Sequence, residues 1–430
     1  MKSPIPKINA IFILLPVVFG LSAGPAYLSA DQEVASDLSA SEVLPVELLS
    51  GPHYSTDERV ENDGYLNYYT IRSDYGVFDV ASTAMLRMRL HEVEALSKID
   101  ELSYTEVFIT AAADAGLGQL RVIETIITTP ISSLAALPQG VSRMFKQYSN
   151  KADKAFADTK DYLASQKDLS MSDRAYADYK NAATGLSKRY MKVTDAERRV
   201  AANFGTDPYT SNQTLREAIA NVALVGELGK ASLRYSGLGI PGIGLLSKVN
   251  KAVWDKDLGG LREFNRDRLQ AIGADEELVD SFLRNPWISP TRQTLLTQSI
   301  EDLNGVKDRH QILRQSLNLK TNIEVGYFVR AVALLAWYHT HEHELASIST
   351  ELAIPGGIRP GGTTVLLFPS DYVYWTSTME QAARDYRQLG RHEKGHKSEL
   401  WILGSVSDRT RSELLKMGYQ LHTNFAAQLN

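Results

Sequence analysis

The sequence predicts an α+β fold: a mainly helical body with an N-terminal β-hairpin, and a small C-terminal α/β unit with a mostly parallel sheet. Three observations predict it. Long stretches carry apolar residues at helical spacing, the most apolar being residues 324–346. Residues 65–82 alternate aromatic and β-branched with polar side chains around a Ser73-Asp74-Tyr75-Gly76 turn, the pattern of a hairpin. Beyond a glycine- and proline-rich connection at 355–362, the order becomes strand–helix–strand–helix–strand. Right-handed crossovers close such an order into parallel pairing.

Residues 1–30 read as an export signal. Lys2 and Lys7 form a basic start, residues 8–20 an apolar core, and small residues lead to an expected cut after Ala30. A retained single anchor is the alternative. The chain has no cysteine, which excludes disulfides and a cysteine-linked lipid, so its size must supply the core. Loss of Lys2 and Lys7 leaves 44 cations against 51 anions, a net charge of −7. Such a surface excludes a globally basic nucleic-acid-binding protein. Residues 31–50, polar and acidic with Pro45, read as a flexible linker.

The body is expected over residues 51–355. After the hairpin, Thr83 caps a helix over 83–102 whose stripe is Leu86, Leu90, Val93 and Leu96. Helix continues over 105–127, until Thr129-Pro130. Residues 141–166 place Phe145, Tyr148, Ala152, Phe156 and Leu163 on one face among Lys146, Lys151 and Lys154. Such a helix packs on the body or lies on an anionic membrane surface. A polar helix follows over 173–204. Thr214-Leu215-Arg216-Glu217 has the capping-box pattern. Helix 275–284 stops at Asn285-Pro286, and Ser289-Pro290 is an N-cap followed by proline at the first helical position. A helix over 307–317 precedes the central one.

Between Val325 and Tyr338 the only charge in that central helix is Arg330. Val325, Val329, Val332, Ala336, His339 and His343 share one face, and Tyr327, Ala331, Leu334 and Tyr338 the other. A helix apolar nearly all round is buried or crosses a membrane. Its uncharged run is shorter than the ~18 residues a span requires, so it is expected in a core, with no transmembrane helix after signal removal. The C-terminal unit, over 363–425, comprises strands at 364–368, 399–403 and 419–423, with helices at 377–389 and 408–417. Ser407 caps the second helix and Gly418 ends it.

Four motifs invite chemistry. Gly237-Leu238-Gly239-Ile240-Pro241-Gly242 matches a dinucleotide fingerprint but follows a helical pattern instead of a strand, so a packing turn is expected. His392-Glu393-Lys394-Gly395-His396 matches the zincin spacing, yet contains Gly395 and is crowded by Arg391, Lys394 and Lys397. His339, Glu342 and His343 match the inverted zincin order within the central helical pattern. Both histidines continue the apolar stripe, so the favoured reading is a pair of core residues bonded to backbone carbonyls. Glu324, Glu344 and Glu351 are the acids near enough in sequence to be considered as a third ligand. Finally, Gly404-Ser405-Val406-Ser407 joins a strand to a helix N-terminus, the position where open α/β sheets take anions.

Five blocks add a resemblance: Gly51-Pro52-His53-Tyr54, Asn62-Asp63-Gly64, residues 204–212 (Phe-Gly-Thr-Asp-Pro-Tyr-Thr-Ser-Asn), residues 285–291 (Asn-Pro-Trp-Ile-Ser-Pro-Thr) and residues 371–376 (Asp-Tyr-Val-Tyr-Trp-Thr). Together they resemble a family of exported proteobacterial proteins of unknown function. The resemblance implies a periplasmic setting and carries over no activity and no site residue. The expectation is an exported periplasmic, non-enzymatic envelope protein that binds a protein partner or the membrane surface. It assigns no catalytic residue, metal or cofactor. Two alternatives are a metal-dependent hydrolase on His339, Glu342 and His343, and a small-ligand enzyme or binder at the C-terminal unit.

Overall fold

The computed structural model describes residues 32–117, 122–123, 141, 144–145, 189–228, 247–388 and 397–426. The chain divides into Met1–Gln32 and Glu33–Asn430, and every element below belongs to the second unit. The expected export signal, the 237–242 fingerprint and the His392–His396 motif lie outside the described residues.

Residues expected to be a linker are built into the fold. Ala40, Leu44 and Leu48, four apart, bury their side chains, and this apolar spacing explains why the segment holds structure despite its acidic composition. It forms β1 (Leu38–Ser39), α1 (Ala40–Val43) and β2 (Ser50–Gly51). With β3 (Tyr54–Thr56), β4 (Arg59–Asn62), β5 (Asn67–Ser73) and β6 (Gly76–Ala81) these strands make an antiparallel sheet. Its order is β1-β4-β5-β3-β2, with β6 also on β5. The expected hairpin is therefore the β5–β6 part of a larger sheet. Tyr69, Ile71, Phe78 and Val80 point inward from it, as period-2 alternation requires.

The helices follow in the order their caps dictate. α2 (Thr83–Ser103) buries Leu86, Leu90, Val93 and Leu96 as expected. Its cap is Ser82 instead of Thr83: the Ser82 hydroxyl accepts from the Met85 amide at 3.3 Å. α3 (Glu106–Asp114) comes next. The helix expected over 173–204 is interrupted at 191–194, where Thr194 and Glu197 form a capping box that opens α4 (Asp195–Asn203). α5 (Gln213–Leu228) starts earlier than the Thr214 pattern implied, because the Asn212 side chain accepts from the Leu215 amide. α6 (Ser247–Asp255), α7 (Leu258–Ala271) and α8 (Glu276–Leu283) lead to α9 (Pro290–Asp302), which carries the expected Ser289 cap and Pro290. α10 (Gln311–Ser316) and α11 (Asn322–His341) complete the body.

α11 is the central helix. It packs on α9 and on the buried strand β9 (Thr364–Phe368), which follows β7 (Ser347–Ser349) and β8 (Gly356–Ile358). The stretch expected as a flexible connection at 355–362 is thus partly a strand. Gly357 explains why: a Cβ there would come within 2.7 Å of Leu345, so only glycine lets β8 lie this close to the body. β10 (Tyr372–Val373), α12 (Ser377–Gln388), β11 (Ser398–Ile402), β12 (Ser405–Val406), α13 (Asp408–Lys416) and β13 (Tyr419–Thr423) follow.

The C-terminal sheet runs β13-β11-β9-β8-β7. β9, β11 and β13 pair in parallel as expected, whereas β7 and β8 are antiparallel, which makes the sheet mixed. One hydrophobic cluster joins the helical body to this sheet, from Tyr65 through Tyr338 and Phe368 to Phe425. A second, under the N-terminal sheet, joins β5, β6 and α2–α5. The apolar core is therefore continuous across the boundary expected at 355–363. Among the described residues, no helix is long and apolar enough to cross a membrane. Val141, Met144 and Phe145 open the stretch whose pattern also suits a membrane surface, and all three are buried. Phe145 stacks on Tyr65 at 4.8 Å and on Phe368 at 5.7 Å. Lys146, Lys151 and Lys154 lie outside the described residues.

Candidate functional site

The histidine motif is resolved by where α11 stops. The helix ends at His341, so Glu342 and His343 lie beyond it and the one-turn relation of His339 to His343 is lost. His339 is half-buried and His343 exposed. The Leu345 amide donates to His339 Nδ1 at 3.0 Å, which fixes the proton on Nε2, and Nε2 donates to the Asn304 carbonyl at 3.1 Å. Both ring nitrogens are committed to backbone. Among the described residues, no three His, Cys, Asp or Glu side chains gather as a ligand set. His339→Ala should lower stability by about 1–2 kcal/mol in urea unfolding, and His343→Ala should change it by less than about 0.5 kcal/mol.

The Gly404–Ser407 loop does lie at the carboxyl end of a parallel strand and does hold an anion, which belongs to the chain itself. Glu33 Oε2 accepts from the Trp375 amide at 2.7 Å and from Ser407 Oγ at 2.5 Å. The Glu33 amide donates to the Trp375 carbonyl at 2.8 Å. Ser407 Oγ also caps α13 by accepting from the Thr410 amide. The position expected for an external anion is closed by this strap.

The sequence blocks that looked like turns and caps meet at two polar joints. At the first, Asp371 carries the contact between the two sheets. Its Oδ1 accepts from the Thr83 amide at 3.0 Å and its Oδ2 from the Asn67 amide at 3.1 Å. Asn62 Nδ2 donates to the Tyr372 carbonyl, and the Tyr374 amide to the Gly64 carbonyl. Asp63 accepts from the Tyr65 and Leu66 amides, from Tyr68 Oη and from the Val141 amide. Burial pushes both aspartates above the ordinary carboxylate range, against the amides, which favour the charged form.

The second joint is the 204–212 loop. The buried carboxylate of Glu92 accepts from Arg89, from Thr210 Oγ1 and from Asn212 Nδ2. His91 Nε2 donates to the Gly205 carbonyl, and Trp254 Nε1 to the Thr206 carbonyl. Asp207 Oδ1 accepts from Thr291 Oγ1 at 2.6 Å and from the Tyr209 amide at 2.9 Å, tying the loop to the start of α9. Burial raises the Asp207 pKa as well.

Three arginines lie around this loop, and Arg189 Nη2 donates to Tyr190 Oη at 3.3 Å. Arg189, Arg216 and Arg292 are half-buried; Arg189 lies over the Tyr190 ring at 5.0 Å, and Tyr190 is among the groups whose charge acts on Arg216 and Arg292. Arg216 donates to the Thr210 carbonyl and Arg292 to the Asn322 carbonyl, while Arg189 Nε is buried without a partner among the described residues. None of the three is in an ion pair among those residues. Burial, then the nearby Arg189, pushes Arg216 down to about 10. Burial lowers Arg292 too, with Tyr190 and Asp207 opposing it. Tyr190 meets Tyr209 edge-on at 6.1 Å, and the buried Tyr209 hydroxyl has no partner among the described residues.

The structure thus does not bring the paired histidines together, and at the Gly404–Ser407 loop it seats the chain's own Glu33. It assembles an arginine cluster that sequence reading missed, since its members come from three distant segments. The one available signal was Arg292, directly after the Ser289-Pro290-Thr291 cap, where a cation opposes the helix dipole. The chain matches no protein-family model, no curated protein and no solved structure.

Proposed function

We propose that the protein is an exported, periplasmic, non-enzymatic binding protein of the cell envelope whose ligand carries an oxyanion group. The observation that carries this reading is three half-buried arginines, Arg189 against Tyr190 and Arg216 and Arg292 bonded to carbonyls, with no ion pair to any of them among the described residues. Burial of Arg216 and Arg292, and the charge of Arg189 beside Arg216, call for an anion, and a planar guanidinium suits the two-point geometry of phosphate or carboxylate. Binding is favoured over catalysis because two carboxylates that act on these arginines are engaged in holding the fold: Asp207 in the loop and Glu92 against Arg89. The basic, apolar and small-residue order of residues 1–30 supports the periplasmic setting.

Inorganic phosphate should raise the melting temperature by several degrees over chloride at equal ionic strength, because a ligand that binds only the folded state stabilises it by mass action. Arg216→Gln should remove most of that rise. An equal response to chloride, or an undiminished response in the variant, would overturn the reading.

A further inference from the structure

Along α11, every residue from Asn322 to Tyr338 is buried except Asn322, Ile323, Gly326 and Arg330. These positions are three to four apart and form one stripe on an otherwise enclosed helix. In its middle, Gly326 presents no side chain. Among the described residues, only the Arg292 guanidinium comes within 4 Å of where a Cβ would stand, at 3.5 Å. The stripe therefore leaves bare backbone partly exposed at Gly326, with Arg292 lying along it through its bond to the Asn322 carbonyl.

Arg330 lies one helical turn further, about 6 Å along the axis. It is the single charge in an apolar stretch, it is half-buried, and it has no hydrogen-bond or ion-pair partner among the described residues. Its charged neighbours are Asp371 and Arg87. Asp371 has turned both oxygens to the Asn67 and Thr83 amides. Arg87 follows Thr83 by four residues on α2, which puts it on the same helix face, and it too lacks a partner among the described residues. Two guanidiniums acting on a site whose one carboxyl group is bonded to amides leave positive charge in excess at this end of the stripe.

We infer that this stripe of α11 takes a ligand with two oxyanion groups about one helical turn apart, one held by Arg292 and the other by Arg330 with Arg87. This rests on the oxyanion-binding reading above and adds the second contact, which sets the length of the ligand. Two linked groups bind far more tightly than one because the second association is intramolecular.

Calorimetry at constant ionic strength, with inorganic phosphate and a series of alkane bisphosphonates of increasing chain length, tests it on the full chain. The best-fitting bisphosphonate should bind at least about 10-fold more tightly than phosphate. Arg330→Gln should abolish that gain and leave phosphate binding intact, whereas Arg292→Gln should weaken both. Gly326→Leu, which covers the bare backbone, should also remove the gain. Arg330→Gln breaks no hydrogen bond or ion pair among the described residues and leaves Asp371 its two amide bonds, so it should fold, and thermal melts establish this before titration. Phosphate binding with no bisphosphonate gain, or a gain that survives Arg330→Gln, overturns the two-point site and leaves the oxyanion reading standing. Binding of neither probe overturns both.

Discussion

Replacing Asp371 by alanine should lower stability by about 3–5 kcal/mol in urea unfolding, one of the two largest single-residue effects expected here. The carboxylate is the shared acceptor for the Thr83 and Asn67 amides, and Asn67 is buried. Its removal strands two donors at the joint between the sheets, and each buried unsatisfied group costs about 1–3 kcal/mol. Asp371→Asn keeps one acceptor oxygen and should cost about half as much. The pH dependence has a definite sign. Burial raises the folded pKa of Asp371, and those of Asp63 and Asp207, above their unfolded values. The folded chain then holds these protons to higher pH than the unfolded chain does. Their contribution favours folding on the acid side. It declines as pH rises from the ordinary aspartate range through the raised folded value, above which the full penalty is present. Acidification from neutral pH should therefore stabilise the protein through these groups, and Asp371→Asn should reduce the slope. An unchanged slope would mean that Asp371 titrates normally.

Local chemistry made much of the fold legible. Ser289-Pro290, Ser407 and Gly418 state their helix ends within a few residues, and β9, β11 and β13 are short apolar runs bounded by turns. Strands that depend on a distant partner were not legible. β8 contains two glycines and reads as a connection, but pairing with β7 and β9 and close contact with Leu345 make it a strand. Residues 38–51 likewise owe their order to a sheet built from later residues. The helical period carried the central helix past its true end at His341, because periodicity has no means of seeing the turn that follows.

The same division applies to the candidate site. The conspicuous motifs were local patterns, and the geometry gives them local tasks: His339 closes a helix end, Ser407 caps one. The arginine cluster is assembled from α5, α9 and the residues before α4, so no window of sequence contains it. Arg330 was the exception, since one charge in an apolar helix stands out in the amino-acid order alone. The blocks 204–212 and 285–291 were visible as turn and cap chemistry, whereas the bond between Asp207 and Thr291 that joins them was not.

Glu92→Ala should cost about 3–5 kcal/mol and should also weaken phosphate binding. Glu92 and Arg89 are both buried, and removing one member of a buried pair leaves the other uncompensated. Glu92 further accepts from Thr210 and Asn212, so its loss frees the loop whose Thr210 carbonyl receives Arg216 and whose Asp207 reaches α9. Glu92→Gln retains the shape and one acceptor and should cost about 1–2 kcal/mol. A double-mutant cycle separates the pair from the loop. If the ion pair dominates, Arg89→Met should rescue much of the loss in Glu92→Ala, with a coupling energy of about 1–3 kcal/mol. If holding the loop dominates, the two effects should add, and phosphate affinity should follow Glu92 alone. The crossing bonds to Thr210 and Asn212 favour the second outcome for affinity, and the burial of both charges favours the first for stability. A total effect under about 1 kcal/mol for Glu92→Ala would show that neither role is exerted, since a buried charge cannot lose its partner at so little cost.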